Sequence, residues 1–313
     1  MFNVRTDLAI EAASLFNKSK RDIDLLEGVE AEIIKKGTCV VTRVEITSEE
    51  GEKSVGKPIG TYVTIDCPRL RENDENTIKD ANMIMEKELG LVLKKFKYET
   101  VLIVGLGNWN VTPDALGPKV ISNLTVTRHL KEYIPDAIKS LCAISPGVLG
   151  ITGIETSEII KGVCDRVKPD LIIVIDALAS RKMERISTTF QICDTGIVPG
   201  SGIGNNRKEL SKKTLGVPVV AIGVPTVVDA ATVANDSIEI MINSIKTHAD
   251  DNSKLKNAIN IFENENRYDL IKEVLSPYVG ELIVTPKEVD TIIDDASKII
   301  ANSINKTVLG NRM

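Results

Sequence analysis

Two aspartates stand where an α/β protein can use them. Asp114 closes the loop Gly105-Leu106-Gly107-Asn108-Trp109-Asn110-Val111-Thr112-Pro113-Asp114 behind one apolar run, and Asp176 ends another, Leu171-Ile172-Ile173-Val174-Ile175. Open α/β sheets form their sites at the carboxyl ends of strands, where loops converge and a charge at the rim is least desolvated. If the two carboxylates approach to about 4 Å, they repel by roughly 4 kcal/mol at an effective dielectric of 20. That separates two proton affinities by about three units. One carboxyl then holds a proton while the other activates water, as in paired-aspartate hydrolases. The same pair can instead hold a divalent metal. The structural alternative is a helix N-cap for Asp114 and a loop acceptor for Asp176.

Other candidates are weaker. Pro199-Gly200-Ser201-Gly202-Ile203-Gly204-Asn205 is a flexible loop followed by Arg207 and Lys208. Gly200, Ser201, Gly202 and Gly204 in it can present backbone amides to substrate, or the loop can simply face solvent. Gly105 and Gly107 invite a dinucleotide reading, but Asn110 stands where a third glycine is required and Trp109 obstructs backbone approach. His129 and His248 are the only histidines, which rules out a three-histidine metal centre, and there is no HExxH or GxSxG. Glu155 and Asp194 are secondary candidates, with an N-cap and a turn acceptor as their plain alternatives.

The elements that must carry these residues follow from periodicity. Val40 to Thr47 alternates with a period of two and Thr61 to Asp66 is a second strand, together an antiparallel β-hairpin added to the main sheet, with turn residues at Ser48 to Gly51. From Glu75 to Lys97, Ile78, Ala81, Met85, Leu89, Val92 and Phe96 recur on one helical face. Four short apolar runs follow: Thr100 to Gly105, Ser140 to Ile144, Leu171 to Ile175 and Val217 to Ile222. Helical segments over Lys119 to Glu132, Glu155 to Arg166 and Val227 to Ile245 separate them. Runs apolar on both faces that alternate with helices predict βαβ crossovers and a doubly wound α/β sheet, mostly parallel. The polar stretch His248 to Asn266 reads as an exposed excursion, and helices over Tyr268 to Leu275 and Pro286 to Asn305 cover the sheet. Leu8 to Lys20 is a loosely committed helix. One continuing sheet favours a single domain.

Composition narrows the function. With 313 residues, 42% apolar and 27% charged, the chain can bury a large core. A formal charge of −5 and 4% aromatic content argue against direct nucleic-acid binding or a membrane-surface role. No run is long and apolar enough to cross a bilayer, and Met1 to Lys20 lacks a secretory pattern, so a cytoplasmic location is expected. Cys39, Cys67, Cys142, Cys164 and Cys193 form no CxxC pair and no disulfide framework, which reads as free thiols.

GLGNWNVTPDALGP (105–118), SPGVLGITGIETSEIIKGV (145–163), DALASR (176–181), DTGIVPGSGIGNNRKELSKKTLGVPVVAIGVPTVVDA (194–230) and VTPKEVD (284–290) resemble the germination protease of spore-forming Firmicutes. The resemblance runs from near Arg5 to near Asn305. It implies an endopeptidase that degrades small acid-soluble spore proteins early in germination, located in the forespore and spore core. It also implies a homotetramer with a phosphorylase/hydrolase-like fold related to hydrogenase maturation endopeptidases. The family's two implicated aspartates match Asp114 and Asp176.

The resemblance further implies a precursor with propeptide 1–7, processed within Arg5-Thr6-Asp7-Leu8-Ala9-Ile10-Glu11 between Asp7 and Leu8, and a peptidase domain over 8–313. Two departures stand out: the excursion around His248 to Asn266 is shorter than in many relatives, and Cys193 stands where serine is familiar. The mechanistic rival is a metal-dependent peptidase on the same carboxylates. A nucleoside phosphorylase or hydrolase, and a non-catalytic binder of spore proteins, are the rivals of other classes.

Overall fold

The computed structural model describes residues 26–133, 139–200, 207–248, 267–279 and 282–310. In chain order its elements are β1 (Val29–Lys36), β2 (Cys39–Ile46), α1 (Glu49–Val55), β3 (Gly60–Asp66), α2 (Glu75–Leu93), β4 (Thr100–Gly105), α3 (Leu116–Ser122) and β5 (Ser140–Ile144). Then come α4 (Leu149–Thr152), α5 (Thr156–Val167), β6 (Leu171–Ser180), β7 (Thr189–Cys193), α6 (Lys212–Leu215) and β8 (Val219–Asp229). The chain closes with α7 (Ala230–His248), α8 (Arg267–Val279), β9 (Ile283–Val284) and α9 (Val289–Ile304).

Among the described residues, all nine strands join one sheet in the order β1-β2-β3-β7-β8-β6-β4-β5, with β9 alongside β8. Strands β8, β6, β4 and β5 are parallel, and β1, β2, β3 and β7 form the antiparallel end. The expected doubly wound, mostly parallel α/β sheet is therefore what forms, with an antiparallel end where the hairpin was expected. Its central strands are apolar on both sides because both sides are covered. Val101 and Ile103 of β4 pack in the cluster that holds Ala81, Met85, Leu89 and Val92 of α2 and Ile293 and Ile300 of α9. Leu102 and Val104 face the opposite cluster, with Ile160 and Cys164 of α5 and Leu215 of α6. Asp74 caps α2, accepting the Thr77 N–H at 2.9 Å.

Several sequence expectations are corrected. The β2–β3 pair is not a simple hairpin: Ser48 caps α1 between the two strands, and Gly56 in the left-handed region ends that helix. Strands β1 and β7 had not been expected. β7 links β3 to β8 and makes the addition continuous with the main sheet. The helix expected over Lys119 to Glu132 is only the seven-residue α3, followed by a 3-10 turn at Arg128–Leu130. Val227 to Asp229 extend β8 rather than starting a helix.

Cys39 and Cys67 form a disulfide, with Cα atoms 4.4 Å apart, while Cys142, Cys164 and Cys193 are free. The cause is register: Val40 pairs with Asp66, so the next step along the ladder sets Cys39 opposite Cys67. Twenty-eight residues of separation hid that neighbourhood in the sequence. Leu8 to Lys20 and Ala249 to Asn266 lie outside the described residues, as do Asp7, Leu8, Ser201, Gly202 and Gly204.

Candidate active site

The order of the parallel strands creates the site. From β4 the chain crosses to β5 on one side, then returns past β4 to β6 on the other. That reversal leaves a crevice beyond the carboxyl ends of β4 and β6, the usual ligand position in a doubly wound sheet. Gly105, the last residue of β4, pairs with Ile175, and the Leu106 N–H still donates to the Ile175 carbonyl at 2.8 Å. There the paths divide: β4 turns into its loop, while β6 runs on to Ser180 beside β8, pairing Asp176 with Gly223. Asp114 and Asp176 line the same cavity of ≈ 370 Å³ at this point.

The loop holds Asp114 by closing on itself. Gly107 has φ +106, and a Cβ there would lie 1.9 Å from the Asp114 carbonyl oxygen, so only glycine fits. A Cβ on Gly105 would likewise meet the Gly117 carbonyl at 2.3 Å. The glycines that suggested a nucleotide loop thus let the strand end pack tightly against α3. The Asn108 N–H donates both to the Asp114 carbonyl at 3.1 Å and to its Oδ2 at 2.9 Å. Asp114 ends a 3-10 turn, Thr112–Asp114, and the N-cap position of α3 is Ala115, so Asp114 is not the helix cap. Burial pushes its carboxyl up to about 6, opposed by the Asn108 hydrogen bond. Asp176 is 7% exposed.

The cavity wall is mainly apolar, with Leu106, Val111, Val148, Leu149, Leu178 and Ile283. Glu155, Arg207, Lys208 and Gly200 also line it, and Arg207 approaches Glu155 at 3.6 Å. Of Gly200, Ser201, Gly202 and Gly204, the expected amide donors, Gly200 alone falls in the described part. Asp194 lies elsewhere: it accepts the Thr61 N–H at 2.8 Å and pairs with Lys95 at 2.8 Å, a structural tie between β3 and its neighbours. His129 sits exposed on the Arg128–Leu130 turn. The Cys193 thiol is buried, its pKa raised by that burial, and it donates to the Gly196 carbonyl at 3.3 Å.

Among the lining residues that escaped the sequence reading are Ser157, in the first turn of α5, and Thr226, in β8, whose buried hydroxyls have no hydrogen-bond partner among the described residues. The signal for Thr226 was Pro225: a proline inside an apolar strand marks a bulge or an interrupted ladder.

Among the described residues, no three or more His, Cys, Asp or Glu side chains gather as a metal site. That donor set does not suit a closed zinc centre. Two carboxylates do suit an oxygen-seeking ion that keeps several of its waters. Among the same residues, no helix is long and apolar enough to cross a membrane.

Comparison with known proteins finds relatives along nearly the whole chain. The family model described as "Germination protease" matches residues 9–262 and 248–311. A germination protease of Clostridium tetani is 52% identical over 307 residues, covering 97% of this chain and 94% of the relative. That of Clostridium acetobutylicum is 51% identical over 312 residues, covering 97% and 95%. One from Bacillus cereus is 41% identical over 342 residues, covering 97% and 93%. Among solved structures, the [NiFe] hydrogenase maturation protease HycI of Thermococcus kodakarensis aligns at TM-score 0.30 and 23% identity, over 44% of this chain and 80% of that one. The E. coli hydrogenase maturating endopeptidase HybD aligns at 0.24 and 16%, over 48% and 94%. With near-complete coverage at about half identity and a family model spanning almost the whole sequence, the chain belongs to the germination protease family and is a peptidase.

Proposed function

We propose that this peptidase is an endopeptidase of small acid-soluble spore proteins that cuts with water activated between Asp114 and Asp176. The observation that carries this reading is the presence of both carboxylates on one largely apolar cavity at the strand-order reversal. Asp114, with its carboxyl raised to about 6, exchanges a proton close to neutral pH. In the proposed step the ionised member of the pair takes a proton from water as the water oxygen adds to the scissile carbonyl carbon. The protonated member gives its proton to the leaving nitrogen as the C–N bond breaks. The products are a carboxylic acid and an amine, and the pair is left with one proton, ready for the next cycle.

The chain is proposed to be made as a precursor and to cut itself between Asp7 and Leu8, leaving a peptidase domain over 8–313. Intact-mass analysis of Asp7→Ala should show no processing; normal processing of that variant rejects this account. Self-association as a homotetramer accords with the apolar side chains exposed on the α7–α8 pair, including Ile240, Met241, Leu270 and Val274. Light scattering tests it. The proposed location is the forespore and spore core.

A second reading keeps the same site. A divalent ion held by oxygens of Asp114 and Asp176 would polarise the scissile carbonyl or sharpen the attacking water. Dialysis against a chelator followed by metal add-back decides between them: the aspartate pair predicts full activity after chelation, and the metal reading predicts loss with recovery. A nucleoside phosphorylase or hydrolase would instead turn over nucleosides with phosphate or water.

A further inference from the structure

Thr226 is 1% exposed, its hydroxyl has no partner among the described residues, and it lines the cavity of Asp114 and Asp176. An unpaired buried hydroxyl is a standing penalty, and one that persists needs an explanation. Its backbone supplies the first part of one. Along β6 and β8, Leu178 pairs with Pro225 and Ala179 with Val227, so Thr226 is the extra residue of a bulge. Bulges beside active sites re-aim side chains. The bulge is pinned on both sides: the Ser187 N–H donates to the Pro225 carbonyl at 2.6 Å, and the Thr285 hydroxyl to the Thr226 carbonyl at 2.9 Å.

Position supplies the second part. Asp176 pairs with Gly223, and Thr226 lies three residues further along that strand, about 10 Å away at ~3.3 Å per residue. An extended peptide whose scissile bond sits at the aspartates has its main chain two or three residues away when it passes Thr226. The surrounding wall offers it the apolar Leu178, Val227 and Ile283, and the hydroxyl of the neighbouring Thr285 is already engaged with the Thr226 carbonyl. We propose that the Thr226 hydroxyl is a substrate-anchoring group that hydrogen-bonds a main-chain amide of the bound polypeptide two to three residues from the cut. The site would thereby read an extended chain rather than a single residue. This rests on the aspartate-pair reading of the same cavity.

The test is a coupling between hydroxyl and substrate length. The full chain and its variants are compared under conditions in which the wild type cuts a small acid-soluble spore protein. Substrates run from that protein down to the shortest nested peptide the wild type still cuts, shortened from either end in turn. Thr226→Val keeps the shape and should lower kcat/KM about tenfold on long substrates, the worth of one well-made hydrogen bond. The loss should vanish once shortening from one end removes the anchored residue, because the two deletions then remove the same contact.

Thr226→Ser should recover most of the rate, and the Val variant should melt no lower than wild type, since it removes an unpaired polar atom. Should Val prevent folding, Thr226→Ala takes its place. A wild-type kcat/KM in the variant, an equal loss at every substrate length, or a loss that tracks a lowered Tm would each overturn the anchor. Asp114→Asn, run in parallel, separates the two claims. If it is inactive while Thr226→Val behaves as wild type, only the anchor fails; if it stays active, the aspartate-pair reading fails.

Discussion

Two carboxylates have been drawn out of water at opposite ends of the sheet, and their surroundings treat them in opposite ways. At the antiparallel end Glu88 of α2 is wholly buried. It accepts two hydrogen bonds from Arg43, at 2.9 and 3.0 Å, and one from Lys36 at 2.7 Å. Burial alone would raise its pKa, but the bonds and charges of Arg43 and Lys36 outweigh it and hold the carboxyl below its ordinary value. At the parallel end Asp114 has one backbone N–H on its carboxylate and no ion pair among the described residues, and burial wins. The first arrangement fixes a helix to a sheet through a group that stays charged. The second leaves a group whose proton can leave and return near neutral pH, which is of use to chemistry and of none to folding.

The largest expected effect falls on activity. Asp114→Asn and Asp176→Asn should each lower the rate of substrate cleavage by about 10²–10⁴-fold, the usual worth of a positioned acid or base, with unchanged circular dichroism. Glu88→Ala should leave kcat nearly intact in the surviving folded fraction. It should destabilise by about 3 kcal/mol, the lower range for stranding the partners of a buried pair, because Arg43 and Lys36 are 28% and 21% exposed and can partly rehydrate. Urea unfolding measures it. Because the folded-state pKa of Glu88 is lowered, its contribution is complete above the ordinary glutamate value and is lost as pH falls through the lowered one. The gap between wild type and variant should therefore close in acid.

Gly107→Ala comes next, at no less than about 1–3 kcal/mol for a side chain forced into the left-handed region. Its new Cβ also meets the Asp114 carbonyl, so activity should fall with stability. The smallest effect has the opposite sign. Asp114 is raised from 3.8 to about 6, so its folded-state preference for the proton is complete below 3.8 and is lost as pH rises through 6. Asparagine keeps the acceptor for Asn108 without the charge. Asp114→Asn should therefore be more stable than wild type at pH 8, on the order of 1–2 kcal/mol after allowance for partial exposure, and should match it near pH 3.5. Calorimetry across that range would show a stabilised but inactive enzyme; a destabilised variant at pH 8 would break the contrast with Glu88.

How much of this was legible depends on how local the cause is. The stripe of Ala81, Met85, Leu89 and Val92 is a property of one helix, and the runs around Leu102 and Ile173 are each complete in six residues, so the doubly wound sheet could be read directly. Asp114 and Asp176 were legible because each follows such a run. What stayed hidden depends on pairing between distant segments. The Cys39–Cys67 disulfide is set by the β2–β3 register, and β1 was missed although it lies one tight turn from β2. Thr226 owes its place on the cavity wall to a bulge against β6, which only the Pro225 before it announces.

The most direct measurement is mass spectrometry of a small acid-soluble spore protein incubated with the chain lacking residues 1–7, beside Asp114→Asn and Asp176→Asn in the same form. The account predicts that the unsubstituted enzyme leaves discrete fragments, with or without chelator, and that both asparagine variants leave the substrate whole while remaining folded. Fragments produced by either asparagine variant at the unsubstituted rate would contradict it.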